Sequence, residues 1–171
     1  GRFLPLGGYG TGEFRDHRHL FRQAAVEPPA RTGHVAYPDG GFYVMRDGPM
    51  YALVRCGDVG LEGIGGHAHN DQLSFELCLG EQALVVDPGA YLYTADPAAR
   101  NAFRATRAHS TLCIGDAEQN PLRDDYLFAV DDVTRAEPLG FEPDGRRCTF
   151  SGRHHGYEHL NPPAMHERQV R

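Results

Sequence analysis

The 171-residue sequence contains no lysine and no tryptophan, and all 17 of its basic residues are arginine. Without lysine there is no Schiff-base chemistry, no P-loop lysine and no lysine general base. A basic excess is missing too, since 23 acidic residues against 17 basic ones give a formal net charge of −6. Nucleic-acid binders usually carry a basic excess or stripe, so no nucleic acid is expected as a partner. No apolar run approaches the roughly 18 residues a membrane helix needs, so no membrane span is expected. No basic start followed by a hydrophobic stretch opens the chain, so no secretory leader is expected within this segment. Cysteine is sparse: Cys56, Cys78, Cys113 and Cys148 stand far apart without a C-x-x-C pair. Each lies in an apolar, strand-like stretch, which reads as four small buried hydrophobes in preference to disulfides or a thiolate metal site.

What is present suits a globular, loop-rich chain: 40% hydrophobic residues, 21 Gly and 12 Pro. Residues 1–40, rich in Gly, Pro, Arg and His, read as an irregular connector, with a loop at Val26–Arg31 where Pro28 and Pro29 forbid helix or central strand. Residues 41–171 read as one β domain. Gly41–Arg46 and Met50–Cys56 flank Asp47-Gly48-Pro49, a hairpin signal. Leu73–Leu79 alternates, and Ala83–Val86 reads as a strand buried on both faces. Thr111–Ile114, Tyr126–Val133, Arg147–Ser151, Tyr157–Leu160 and His166–Val170 are further strand candidates. One helix is predicted at Pro97–Thr106, with Asp96 as N-cap and Pro97 at its first position. Many short strands with Gly- and Pro-bearing turns predict an all-β fold, an antiparallel β-sandwich or barrel-like sheet pair. The last candidate strand runs to Arg171 without a turn, so a domain truncated at its C-terminus is expected.

The densest polar cluster is Gly66-His67-Ala68-His69-Asn70-Asp71, just ahead of a strand. In extended backbone, positions two apart share a face, so His67 and His69 are expected to face one cavity. Asp87 ends an apolar strand and His109 enters another. Two imidazoles and a carboxylate from neighbouring strands make a donor set that suits zinc. The same residues would equally serve as hydrogen-bonded loop ties, and spacing alone leaves the two readings level. His17, His19, His34, His154, His155, His159 and His166 read as ordinary polar or surface positions. A second cluster holds Tyr91, Tyr93, Arg100, Asn101, Arg104 and Arg107. Its arginines could grip carboxylates or sulfates by bidentate hydrogen bonds, or simply pair with local acids.

The run GHAHNDQLSFELCLGEQALVVDPGAYLY followed by RNAFRATRAHSTLCIGDAEQ resembles the signature of the heparinase II/III-like polysaccharide lyases. Matching positions are His67, His69, Asp71, Leu73, Ser74 and Phe75, then Asp87, Pro88, Gly89, Tyr91 and Tyr93. Arg100, Arg104, Thr106, Ala108, His109, Thr111 and Gln119 follow in order. Ser110 departs from the pattern, where the family usually has Asn. The resemblance covers about residues 40–171, with its core at 66–119.

The resemblance implies an N-terminal α/α toroid followed by β-sandwich sheets, with this chain as the first part of the sandwich and the toroid missing from it. It implies a structural zinc at His69, Asp87 and His109, with His67 facing the substrate cleft. Tyr91 and Tyr93 would join His67 as candidate catalytic residues, and Arg100 and Arg104 would bind substrate. The implied activity is β-elimination on a uronic-acid-containing polysaccharide, such as a glycosaminoglycan or alginate, by a bacterial protein that is periplasmic or secreted. The toroid would supply most of the catalytic groups, so the segment alone is expected to be inactive. Its expected partners are the acidic polysaccharide and the toroid, and a homodimer is left open. Two alternatives stay open: a non-catalytic carbohydrate-binding or structural β domain, and a cupin-like metal enzyme of the double-stranded β-helix kind.

Overall fold

In the computed structural model, residues 33–60 and 64–171 are described. His17, His19 and the Val26–Arg31 loop lie outside them. Five strands form one antiparallel sheet in sequential order: β1 (Val35–Tyr37), β2 (Phe42–Asp47), β3 (Met50–Arg55), β4 (Phe75–Leu79) and β5 (Gln82–Val85). Three more form a second antiparallel sheet: β6 (Glu137–Asp144), β7 (Arg147–His154) and β8 (His166–Val170). Between the sheets the chain carries one α-helix, α1 (Pro97–Arg104), and a 3-10 turn at Thr106–Ala108. Both sheets are plain meanders, so the double-stranded β-helix reading falls: its two interleaved Greek keys require non-sequential neighbours.

The expected hairpin forms with Asp47 opposite Met50. Gly48 supplies the positive φ (+55°) of its two-residue turn, leaving Pro49 where its missing N–H costs no ladder bond. Asp96 caps α1 as predicted, its carboxylate accepting from the Ala99 N–H at 3.0 Å.

Alternation along the strands builds the core. Tyr43 and Met45 of β2, Ala52 and Val54 of β3, and Phe75 and Leu77 of β4 face one way. Cys148 and Phe150 of β7 meet them, joined by Phe141 and Val170. Tyr43 lies 4.7 Å from the Phe150 ring and 5.6 Å from Phe141, centroid to centroid. Gly152 makes this approach possible, since a Cβ there would stand 2.7 Å from the tip of Phe150 and 3.1 Å from Cys56 Sγ.

Several expectations are corrected. Ala83–Val86 is not buried on both faces: β5 is a sheet edge, and Leu84 and Val86 are about half exposed. Thr111–Ile114, Tyr126–Val133 and Tyr157–Leu160 are not strands. Their backbone groups go to side chains and turns instead: Asn120 Oδ1 accepts from the N–H groups of Val133 and Thr134, and arginines bond the carbonyls of Leu127 and Ala129. Two strands escape the sequence reading. β1 lies in the stretch read as connector, and β6 holds Pro138 and Pro143, tolerated because β6 is an edge strand. All four thiols are free, but only Cys56 and Cys148 are buried, and Cys113 is exposed at the start of an irregular turn. His154 and His166, read as surface positions, are both buried.

On the other face of β4, Glu76 stands opposite Leu53, 1% exposed, with neither carboxylate oxygen hydrogen-bonded. Burial first, then the charge of Asp87, pushes its carboxyl up to about 8. A raised carboxyl favours the fold while protonated, and that stability is lost as pH rises from the unfolded value near 4.5 toward 8. Glu76→Gln is therefore expected to be more stable than the wild type by about 4 kcal/mol at pH 8. The gap should close below about pH 5, and urea melts at both pH values read it; a gap that does not change with pH would refute the burial argument.

Candidate metal centre and cleft wall

Asp87 leaves the end of β5 and turns through Pro88, its Oδ1 accepting from the Gly89 N–H at 2.9 Å. Its Oδ2 meets His109 Nδ1 at 2.6 Å, with both side chains almost wholly buried. His109 follows the Thr106–Ala108 turn in extended backbone, which aims its ring at Asp87. The His69 ring stacks obliquely on His109, 5.2 Å between centroids. The three residues predicted as a set are thus neighbours. His67 is not on their side. The Ala68 N–H bonds back to Gly65 O at 3.1 Å, so the backbone turns at Gly66 and His67 instead of running extended. That turn buries His69 and exposes His67, so the two do not share a face.

Electrostatics divides the cluster. Burial holds His69 down to about 4, against opposing pulls from Asp71 and Asp87. Burial is the strongest single influence on His109, but its hydrogen bond to Asp87 and the charges of Asp71, Asp87 and Glu118 together outweigh it and raise it. Asp87 is pushed up most by burial, and the bond to His109, the charges of His109 and His69 and the Gly89 N–H together reverse that, for a net lowering. Two nitrogens, His69 Nδ1 and His109 Nε2, are buried without a hydrogen-bond partner. Buried polar atoms are seldom left so, and a bound cation is one way to satisfy them. Among the described residues no three such side chains already stand in a geometry that would hold a metal ion. In donor chemistry the set fits zinc: two neutral-capable imidazoles and one carboxylate.

A buried amide network holds these segments in place. Glu118 Oε2 accepts from Asn70 Nδ2, from the Thr106 N–H and from Thr106 Oγ1, each at 2.7 Å. The Gln119 side chain grips the backbone of Gln72, its Oε1 accepting from the Gln72 N–H at 2.9 Å and its Nε2 donating to Gln72 O at 3.0 Å, and Thr111 Oγ1 donates to Gln72 O at 2.7 Å. Asn120 Nδ2 donates to Asn70 Oδ1 at 3.2 Å. Sequence reasoning missed Asn70, Gln72, Glu118 and Asn120. Their signal was two short runs of adjacent polar residues, Asn70-Asp71-Gln72 just ahead of a strand-like stretch and Glu118-Gln119-Asn120 shortly after one.

The exposed side of the site is aromatic. The His67 ring stands edge-on to Tyr93 at 5.6 Å and to Phe128 at 6.2 Å. Tyr93 and Phe128 are nearly parallel, 13° apart. Tyr91 is 64% exposed, at φ +58°, and stacks on Phe103 at 4.9 Å. Arg100 and Arg104 lie beneath this surface, 1% and 0% exposed. Arg104 donates to Asn101 Oδ1 and to the carbonyls of Leu127, Ala129 and Arg123. Arg107 lies in the open, paired with Asp116.

Comparison with known proteins finds the same fold in larger chains. A heparan sulfate lyase, HepC, from Pedobacter heparinus matches with TM-score 0.64 and 21% identity, over 90% of this chain and 22% of that one. A heparinase III gene product with methylated lysines matches with TM-score 0.65 and 20% identity, over 88% of this chain and 22% of that one. A further heparinase III matches with TM-score 0.62 and 21% identity, over 84% of this chain and 21% of that one. The chain therefore spans about a fifth of the length of these structures. No curated protein sequence matches. The family model described as heparinase II/III-like, C-terminal, matches residues 29–171, and the chain belongs to that family.

Proposed function

We propose that this chain is the metal-bearing β domain of a polysaccharide lyase that cleaves uronic-acid-containing polysaccharide by β-elimination. The observation that carries the reading is the pairing of an exposed His67, set on an aromatic wall, with the buried His69, Asp87 and His109 behind it. Elimination removes the weakly acidic C5 proton of a uronate and expels the oxygen at C4. The neighbouring carboxylate must be neutralised, the C5 proton taken, and the leaving oxygen protonated. His67, exposed beside this wall, would hydrogen-bond the carboxylate or move a proton. Tyr91 and Tyr93 offer ring faces for a sugar and phenolic protons near it. These groups do not complete the constellation, and the remainder would come from the α/α toroid of the parent protein.

His69, Asp87 and His109 would hold a structural zinc ion, which supplies binding free energy to the fold when present. Its ligands belong to the segments that lead into His67 and Tyr91, so the same bonds would fix the wall. A polymeric substrate suits a periplasmic or secreted parent protein.

The test is the unsaturated product released from heparan sulfate, other glycosaminoglycans and alginate. Full-length protein carrying the toroid is expected to turn over at least one of these, and residues 1–171 alone none. Turnover by the short chain would overturn the division of labour, and no product from the full-length protein on any uronate polymer would overturn the lyase reading. A non-catalytic sugar-binding domain is favoured by one feature, the exposed Tyr91 face stacked on Phe103. It would show as polysaccharide binding without product.

A further inference from the structure

Arg100 has the sequence position of a substrate-gripping cation and the surroundings of something else. Its Nε donates to Leu127 O at 3.0 Å and its Nη2 to Gly66 O at 3.2 Å. Those carbonyls belong to the residues immediately before Phe128 and His67. The guanidinium carbon lies 4.9 Å from the centre of the Tyr93 ring and 4.5 Å from that of Phe128. One buried group therefore touches all three segments that form the wall. Among the described residues it has no carboxylate partner. A buried guanidinium without a counter-charge is costly unless fixed dipoles and ring faces replace water, and here they do. Arg104 shares Leu127 O at 2.9 Å and fixes the rest of the 123–129 loop, but of these two described arginines it is Arg100 that reaches the turn carrying His67.

We infer that Arg100 is a positioning residue: it sets the His67, Tyr93 and Phe128 rings at their mutual angles and does not contact substrate. Lysine cannot replace it. An ammonium is a point donor, whereas the planar fork reaches two carbonyls while lying flat over two rings. The kinetic part of the test rests on the lyase reading; the spectroscopic part does not.

The experiment compares Arg100→Lys with wild type in the full-length protein, with Arg146→Lys on the distant β6–β7 turn as control. The His67 ring protons feel the ring currents of Tyr93 and Phe128, so their NMR resonances report the wall directly. Arg100→Lys is expected to move them toward random-coil positions, and Arg146→Lys to leave them in place. On a uronate polymer, kcat is expected to fall about tenfold with KM within about twofold, the signature of lost alignment. An unmoved His67 resonance, or a loss carried entirely by KM, overturns the inference. Absence of product from wild type sinks the lyase reading and leaves the NMR comparison decisive. Should Arg100→Lys fail to fold, wild type supplies the second measurement. Titrated with a uronate oligosaccharide, the His67 resonances are expected to move and the Arg100 Nε–H to stay; the reverse overturns it.

Discussion

Asp87→Ala is expected to lower the melting temperature by about 10 °C, from a loss of roughly 3 kcal/mol. The Asp87 and His109 side chains are 4% and 0% exposed, so the bond between them is made out of reach of water. Removing the carboxylate leaves the His109 Nδ1 proton buried with nothing to receive it. It also takes the acceptor from the Gly89 N–H, releasing the Pro88-Gly89 turn. Water cannot easily repair the loss, because the His69 ring closes the other side. Asp87→Asn keeps a carbonyl oxygen of similar position and should cost about half as much. The two variants separate hydrogen bonding from metal binding. If zinc is held, purified wild type carries about one ion per chain, chelation lowers its melting temperature, and Asp87→Asn loses the metal while keeping much of the apo stability. Metal-free wild type indifferent to chelator would sink the zinc proposal and leave the hydrogen-bond argument standing. An Asp87→Ala melt equal to wild type would sink both.

What could be read from the sequence follows the range over which each signal acts. The β2–β3 hairpin and the cap of α1 are set within four residues, by Gly48 before Pro49 and by Asp96 before Pro97, and both were legible. Edge position is set by the whole sheet. The apolar run at Ala83–Val86 therefore read as an interior strand, and the prolines of β6 concealed a real one. Asp87 and His109 are 22 residues apart; spacing alone offered their contact as a metal set or a hydrogen-bonded tie without choosing, and the family pattern added the specificity. Alternation put His67 and His69 on one face; their split depends on one backbone bond from Ala68 to Gly65, and only the family pattern set the two apart. Burial of Arg100 and Arg104 was hidden for a related reason. Their partners are carbonyls, which every residue carries and no sequence pattern marks. His154 was legible in retrospect: Cys148, Phe150, Gly152 and His154 alternate along β7, and all four are buried.

That alternation brings two imidazoles together with no acid between them, and a marked loss of stability in mild acid follows. His154 and His166 face each other across β7 and β8, Nε2 to Nδ1 at 3.1 Å. The Gly156 N–H points at His154 Nδ1, also at 3.1 Å. A nitrogen that accepts carries no proton, so His154 is protonated at Nε2 and donates to His166 Nδ1, leaving His166 its proton at Nε2. Adding a proton to either ring sets two N–H groups against each other. Burial first, then His166 and His155, hold His154 down to about 3. Burial and Arg168 hold His166 down to about 4. The unfolded chain takes up these protons as pH falls below about 6.5, and the folded chain does not until about 4. The stability is therefore complete above pH 6.5 and is lost as pH falls from there toward 4. At pH 5 each ring costs about 2 kcal/mol, roughly 4 together. Urea melts at pH 7 and pH 5 should show this difference in wild type. The double variant His154→Leu/His166→Leu, less stable at pH 7 through the lost Gly156 bond, should lose about 4 kcal/mol less than wild type between those pH values. An equal loss in both proteins would place the acid sensitivity elsewhere in the molecule.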